Sequence, residues 1–157
     1  MDLHPALQPL ATLVGTWEGA GHGEYPSIRP YGYIEEITFT NIGKPFLEYR
    51  QRTWNSDNAL MHVETGYLRL PSPDRVEFVL ALPTGQVELA EGHLTVADGV
   101  VQLYLEGRIL NSSTAKTVNA SARRYSLIDD ELATSFDMAA GEYPLQRHLT
   151  SELTRTR

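Results

Sequence analysis

The chain has 157 residues, 41% of them hydrophobic and 21% charged, a composition typical of one globular domain over residues 1–157. It has no cysteine, which excludes disulfides, thiolate metal sites and cysteine nucleophiles. A formal net charge of −7 with scattered basic residues argues against nucleic acid as a partner. We find no signal peptide and no apolar run near the roughly 18 residues of a membrane span, so we expect a cytoplasmic protein without membrane association.

The first element is a predicted helical turn over residues 5–13. Its apolar residues Leu7, Leu10 and Leu13 recur at helical spacing, and Gly15 ends the segment.

The rest of the chain is predicted to be a succession of short strands. Clusters of Pro, Gly, Asn and Asp separate them, and Asp98-Gly99 is the strongest tight-hairpin signal because both residue types tolerate positive φ. The predicted strands are 15–22, 31–41, 45–55, 60–70, 75–82, 86–96, 100–110, 115–128, 131–140 and 145–154.

Alternating apolar residues support several of these strands, as in Val76, Phe78 and Leu80. Ten strands on hairpin-length connections, with no helix between them, predict an all-β antiparallel meander. Such a meander removes its exposed edges by closing into a barrel, similar to lipocalins and fatty-acid-binding proteins. Because a ten-stranded barrel is wider than side chains alone can fill, we expect it to enclose a ligand cavity.

The first predicted strand carries a G-x-W-x-G-x-G motif formed by Gly15, Trp17, Gly19 and Gly21. Glycines at these positions allow a strand to bend and allow another backbone or a flat ligand to approach closely. Trp17 is the predicted plug at one end of the barrel. On residue types alone, a purely structural first strand is the favoured interpretation.

The wider sequence context resembles the nitrobindin family, which is related to the C-terminal domain of a THAP-domain protein. Members are haem-binding β-barrels proposed as peroxynitrite isomerases. The similarity extends in order over nearly the whole chain. Besides the glycine motif, the matching blocks are Tyr25–Ile28, Tyr33–Glu36, Gly43–Leu47, His62–Arg69, Thr114–Lys116 and Leu145–Leu149.

The resemblance implies one ferric haem b per chain at one mouth of the barrel, with His148 as the iron's axial ligand and catalytic residue. Lys116 matches the family's haem-contacting lysine. Ser27 stands where the family has a threonine, which keeps the hydroxyl and loses a methyl group. The remaining implied haem-pocket residues are Met61, His62 and Met138.

His148 presents a difficulty for this assignment. Regular alternation groups it with Thr150 and Glu152, opposite the apolar face of Leu149 and Leu153, and so directs it to solvent. The imidazole can still serve the pocket if the strand lies at the haem-filled mouth or contains a β-bulge that redirects the side chain.

Other chemistry-bearing residues give weaker signals. His62 shares a face with leucines, which suits a pocket wall rather than a second iron ligand. For Lys116, the residue pattern alone favours an ordinary solvated lysine over a haem contact. Glu35 and Glu36 point to opposite faces of a strand and therefore cannot work as a carboxylate pair. No hydrolase, zinc-protease or phosphate-binding motif is present.

These observations leave two classes of function open. The resemblance implies a haem protein that binds nitric oxide and isomerises peroxynitrite to nitrate, with haem storage or sensing as a variant and a homodimer as an open question. The alternative is a non-catalytic carrier of a fatty acid or another apolar ligand, which a buried arginine that clamps a carboxylate would favour. The candidate arginines on predicted strands are Arg50, Arg52, Arg69 and Arg108.

Overall fold

The computed structural model describes all 157 residues and consists of a 3₁₀ helix over Pro5–Leu13 followed by ten β-strands. Strands β1 to β10 span Gly15–Tyr25, Ile28–Asn41, Phe46–Trp54, Leu60–Ser72, Arg75–Leu82, Gln86–Ala97, Val100–Asn111, Val118–Ile128, Glu131–Ala140 and Gln146–Arg155.

Each strand pairs antiparallel with the next, and β1 also pairs with β10, so the sheet closes into a barrel with no free edge. The closed ten-stranded all-β fold predicted from the sequence is therefore confirmed. No helix is both long and apolar enough to cross a membrane.

Most strand ends lie within one or two residues of the prediction, and the largest differences are three residues. Strand β1 continues to Tyr25, and β8 starts at Val118 rather than at residue 115. The predicted start of the second strand at residue 31, directly after Pro30, is wrong, because β2 already begins at Ile28. Pro30 lies beside a register irregularity in β1 and outside the part of β2 that pairs with β3, so its missing N–H disrupts no regular ladder.

The 3₁₀ helix closes the end of the barrel where β1 begins. With three residues per turn, it places Leu7, Leu10 and Leu13 on one face, and all three are fully buried. Trp17 is also fully buried, and its Nε1 donates a hydrogen bond of 3.0 Å to the carbonyl of Leu13. The guanidinium of Arg155 covers the Trp17 ring at 4.1 Å. Trp17 is thus the plug that the sequence predicted at this end.

The hydrophobic core fills the same half of the barrel. Inward residues such as Phe39, Leu47 and Phe78 meet the leucines of the helix in one continuous apolar cluster. The opposite half, where β1 ends and β10 begins, is not filled in this way. It contains the cavity described below.

Candidate functional site

The open half of the barrel encloses a cavity of about 360 Å³, within the range of small-molecule pockets. Its lining changes with depth, since most of the aliphatic side chains lie near the strand ends, beside polar residues such as Thr84 and Gln86, and the buried charged groups lie further in. The apolar lining residues near the mouth are Met61, Leu82, Ile109, Val118, Met138, Ala140 and Leu149.

His148 enters this cavity because β10 carries a β-bulge. The β9–β10 ladder pairs Arg147 with Asp137 and then Leu149 with Phe136, which leaves His148 as the extra residue. The bulge breaks the alternation, so His148 and Leu149 both line the cavity. The outward orientation given by regular alternation is therefore wrong at this position, and a bulge is the physical reason.

The imidazole of His148 is held in one tautomer by a backbone contact. Its Nδ1 lies 3.0 Å from the carbonyl oxygen of Glu24, and a carbonyl can only accept, so Nδ1 must carry the proton. Nε2 keeps its lone pair and has no hydrogen-bond partner in the protein. Burial lowers the pKa of His148 below its usual value and outweighs the opposing effect of the Glu24 carbonyl. A neutral imidazole with a free Nε2 is the form that coordinates a metal ion.

Tyr25 packs beside His148 and ties the surrounding strands together. The two rings meet edge to face with centroids 5.3 Å apart. The Tyr25 hydroxyl donates to the carbonyl of Met138 and accepts from the amide of Ala140, both at 3.0 Å. These two bonds join the end of β9 to β1 next to the bulge. Tyr25 thus builds the wall against which the imidazole packs.

Four of the other predicted site residues line the same cavity, namely Met61, His62, Lys116 and Met138. Lys116 lies in the β7–β8 connection with an exposed side chain at the mouth, and its carbonyl accepts a 2.9 Å hydrogen bond from Gln86. Ser27 differs from these four. It is exposed in the β1–β2 turn and is not part of the cavity wall.

The glycines of the G-x-W-x-G-x-G motif accommodate other parts of the protein. A Cβ on Gly19 would lie 2.0 Å from the carbonyl oxygen of Glu152, and one on Gly21 would lie 2.1 Å from the Tyr33 ring. Gly15 adopts a φ of +139° and approaches the carbonyl of Arg157. Of the two uses that the sequence suggested, close approach of protein groups is the one observed.

A cluster of buried charges, which we call the charged belt, lies deeper in the cavity and consists of Arg123, Glu64 and Glu88. Each carboxylate makes two hydrogen bonds with the guanidinium, at 2.8 and 3.2 Å for Glu64 and at 2.7 and 3.1 Å for Glu88. Burial alone would raise the pKa of Glu64, but the positive charge of Arg123 and the contacts with Arg123 and His62 together outweigh it and hold the pKa below its usual range. The pairing keeps these charges stable inside the barrel.

The charged belt contacts the groups around it on both sides of the cavity. The Tyr49 hydroxyl donates to Glu64 at 2.7 Å, and Nε2 of His62 lies 3.5 Å from the same carboxylate. Across the cavity, the Arg123 guanidinium lies 4.7 Å from the centre of the Phe136 ring. The belt therefore connects the walls formed by β4 and β9.

Glu35 is a second kind of buried carboxyl group. It accepts a 2.5 Å hydrogen bond from Ser151, whose hydroxyl also lies 3.0 Å from that of Tyr33. Burial raises the pKa of Glu35, and the nearby charge of Glu64 raises it further. Its neighbour Glu36 is only partly buried and does not line the cavity, consistent with the prediction that the two side chains point to opposite faces.

Arg123 is the buried arginine that sequence reasoning did not find. The four arginines considered as carboxylate clamps all stay outside the cavity wall. Alternation in β8 carried a usable signal, because Arg123 shares a face with Tyr125 and Leu127, both buried. Yet Arg123 is already paired with two glutamates, so it does not meet the criterion that would have favoured a fatty-acid carrier.

The side chains also limit what kind of metal site is available. No group of three or more His, Asp or Glu side chains is arranged to hold a metal ion. What the cavity offers near its mouth is the neutral imidazole of His148, packed beside the rings of Tyr25 and Phe136. That donor set suits a metal whose other ligands come from a cofactor, as the equatorial nitrogens of haem do.

Comparison with known proteins agrees with this chemistry. Residues 6–155 match the family model described as "THAP4-like, heme-binding beta-barrel domain". The chain belongs to this family. The resemblance to nitrobindins seen in the sequence is thereby confirmed, and haem is the family's cofactor.

Curated relatives of this haem-binding barrel are similar over almost their whole length. A peroxynitrite isomerase of Nocardia farcinica is 50% identical over 98% of this chain and 92% of its own. Peroxynitrite isomerase 2 of Mycobacterium marinum is 46% identical over 98% and 97%. The crystal structure of Rv2717c from M. tuberculosis superimposes with a TM-score of 0.97 at 46% identity, covering 99% of this chain and all of the other.

Proposed function

We propose that this protein binds one ferric haem b per chain through His148 and isomerises peroxynitrite to nitrate at the iron. The observation that carries the proposal is the β-bulge, which turns His148 into the cavity with Nε2 unpartnered. Curated relatives with sequence identities of 50% and 46% carry the name peroxynitrite isomerase. Family membership and the local donor chemistry thus support the same activity.

The residues present suit the cofactor. His148 supplies a neutral nitrogen donor, and Glu24 orients it through Nδ1. Lys116 extends from an exposed loop at the mouth, where its ammonium would pair with a haem propionate. Met61 and Met138 provide polarisable apolar wall for the porphyrin.

Two further residues complete the proposed haem environment. His62 lines the cavity from β4, and its contact with Glu64 turns Nε2 toward the charged belt. It would therefore form part of the pocket wall rather than bind iron. Ser27 lies in the turn between β1 and β2 at the same mouth, and its hydroxyl would contact the haem periphery from there.

When bound, haem would supply a Lewis-acidic iron for the rearrangement of the peroxynitrite anion to nitrate. The protein's part is to hold the metal through His148 and to keep competing ligands out of an apolar mouth. Peroxynitrite and nitrate have the same atoms and the same charge, so the reaction requires no net proton from any side chain. The acidic groups deeper in the barrel are therefore free to serve ligand selection rather than catalysis.

Nitric oxide is the second ligand that we propose for the iron, because an apolar mouth admits a small neutral diatomic molecule. We also propose that residues 1–157 form one functional domain, because all ten strands belong to one closed barrel. A cytoplasmic location and a homodimer stay predictions.

The activity is tested by stopped-flow measurement of peroxynitrite decay with the haem-loaded protein, with nitrate quantified as the product. We expect the loaded wild type to accelerate decay in proportion to its concentration and to increase the nitrate yield. His148→Ala is incubated with the same excess of hemin and should lose most of this acceleration. His93→Ala is the matched control, because His93 lies exposed on the outer surface of β6.

Two results would contradict the proposal. One is decay that is no faster with loaded protein than with buffer. The other is an equal acceleration by both alanine variants, since the activity would then not depend on binding of the haem iron by His148.

A further inference from the structure

The guanidinium of Arg123 spends both of its paired N–H edges on two glutamates, which leaves only a single N–H on Nη1. Nε and Nη2 bind Glu88, while Nη1 and Nη2 bind Glu64. All three residues are at least nine-tenths buried, with 5%, 6% and 2% exposure for Arg123, Glu64 and Glu88. The two paired, fork-like contacts are the geometry in which arginine holds carboxylates most strongly.

The belt also carries more acidic than basic groups, with two carboxyl groups facing one guanidinium. A further acceptor lies nearby, because the buried Oε1 of Gln51 has no hydrogen-bond partner. A carboxylate that entered from the mouth would meet negative charge and an acceptor here. It would find no free pair of guanidinium N–H groups to bind.

Three other features of the barrel suit a fatty-acid carrier. It is a closed antiparallel barrel with an apolar mouth and an arginine deep in the interior, and an arginine in that position is well suited to clamp a carboxylate. We propose that Glu64 and Glu88 are specificity-determining residues that occupy Arg123 and so exclude long-chain carboxylates from the cavity. The inference rests on the proposed function only in taking haem as the ligand that the cavity admits.

The two glutamates differ in how far their other contacts constrain them. Glu64 also binds Tyr49 and lies next to His62, so its replacement disturbs several groups. Glu88 hydrogen-bonds only to Arg123. Glu88→Ala therefore frees the Nε and Nη2 edge of the Arg123 guanidinium. The space left by the Glu88 carboxylate can then take the carboxylate of a ligand.

The test is calorimetric titration of the apoprotein with decanoate and, in parallel, with decan-1-ol. The alcohol has the same chain without the charge. We expect no saturable decanoate binding by the wild type. Glu88→Ala should bind decanoate at least about tenfold more tightly than the wild type does, and about tenfold more tightly than it binds the alcohol.

Glu91→Ala is the matched control variant. Glu91 lies on the same strand with its side chain outside the barrel, paired with Arg108, and its loss should leave both titrations unchanged. Cooperative thermal unfolding checks that each variant is folded. If Glu88→Ala is not, Glu88→Ser, which keeps an acceptor for Arg123, is measured in the same way.

The proposal is overturned if the wild type binds decanoate as tightly as the Glu88 variant. It is also overturned if the variant gains decanoate and decanol equally, because the change would then have created only space. A hemin titration of the same samples keeps the two claims separate. If the wild type does not bind hemin, the proposed function is contradicted. The role of the two glutamates is decided separately, by the decanoate comparison.

Discussion

At the scale of single residues, the site depends on two irregular positions that face each other. His148 is the extra residue in β10, and Glu24 lies in the irregular segment of β1 between Gly23 and Tyr25. A carbonyl in a regular ladder would be used by the neighbouring strand. Because both strands deviate at the same level, the Glu24 carbonyl is available to orient the imidazole.

Tyr25 is the residue we expect to stabilise this arrangement. Tyr25→Phe keeps the ring that packs on His148 but leaves the amide of Ala140 and the carbonyl of Met138 without their partner. Loss of such buried hydrogen bonds costs about 1–3 kcal/mol, so hemin affinity should fall by about tenfold. Hemin titration measures the affinity. The side-chain NMR signal of the His148 Nδ1 proton in the apoprotein, expected to broaden, reports on its orientation.

Tyr143→Phe is the control for this prediction. Tyr143 packs against the other side of Tyr25, and its hydroxyl makes no hydrogen bond. It should therefore retain wild-type affinity and the sharp His148 signal. Equal behaviour of the two variants would show that the Tyr25 hydroxyl does not position the histidine.

At the scale of elements, local signals predicted the strands, whereas the bulge was only one of two ways to reconcile the family resemblance with regular alternation. Hairpin residues such as Asp98-Gly99 and alternation such as Val76, Phe78 and Leu80 are local signals, and the strands they predicted are present. A bulge has no comparable signature around His148, because it arises from how β9 and β10 meet. The same limit explains Pro30, whose place in β2 depends on the irregular pairing with β1.

The N-terminal helix should stabilise the barrel without affecting the site. Leu10 is fully buried at the closed end, so Leu10→Ala should reduce the free energy of unfolding by about 2–5 kcal/mol. Chemical denaturation measures this loss. Leu110→Ala is the control, since Leu110 is 73% exposed and should change stability by less than about 0.5 kcal/mol.

Hemin affinity should stay the same in both leucine variants, because Leu10 lies at the end opposite the cavity and the exposed Leu110 is not part of the cavity wall. A Leu10→Ala protein that is as stable as Leu110→Ala would contradict the role given to the helix. So would a large loss of hemin affinity in a Leu10→Ala protein that is still folded.

At the scale of the whole molecule, barrel closure decides which inward residues meet. Arg123, Glu64 and Glu88 belong to three different strands and are 24 or more positions apart along the chain. Alternation can assign each of them to a face, but it cannot show that they share one level of the barrel. The charged belt was therefore beyond sequence reasoning, whereas His62 and Lys116 were found through family resemblance.

The buried carboxyl group of Glu35, which lies near the charged belt, should make the stability of the protein depend on pH. Its pKa is raised in the folded protein, so the native state binds more protons than the unfolded state between the ordinary glutamate value and the raised one. Stability therefore falls as the pH rises through this window. Glu35→Gln removes the titrating group and should lose less stability than the wild type between pH 5 and pH 8.

Urea denaturation of both proteins at the two pH values tests this expectation. Glu36→Gln is the control, because Glu36 is only partly buried on the neighbouring position and should behave like the wild type. An identical pH dependence in the wild type and Glu35→Gln would contradict the account of Glu35.

The central claim, that His148 is the axial ligand of a haem site, is tested most directly by hemin titration followed in the Soret region. We expect the wild type and His93→Ala to saturate at one hemin per chain with the same spectrum, and His148→Ala to give a weaker or shifted band. A wild type without a saturable band, or a His148→Ala protein that binds hemin with the same affinity and spectrum, would contradict it.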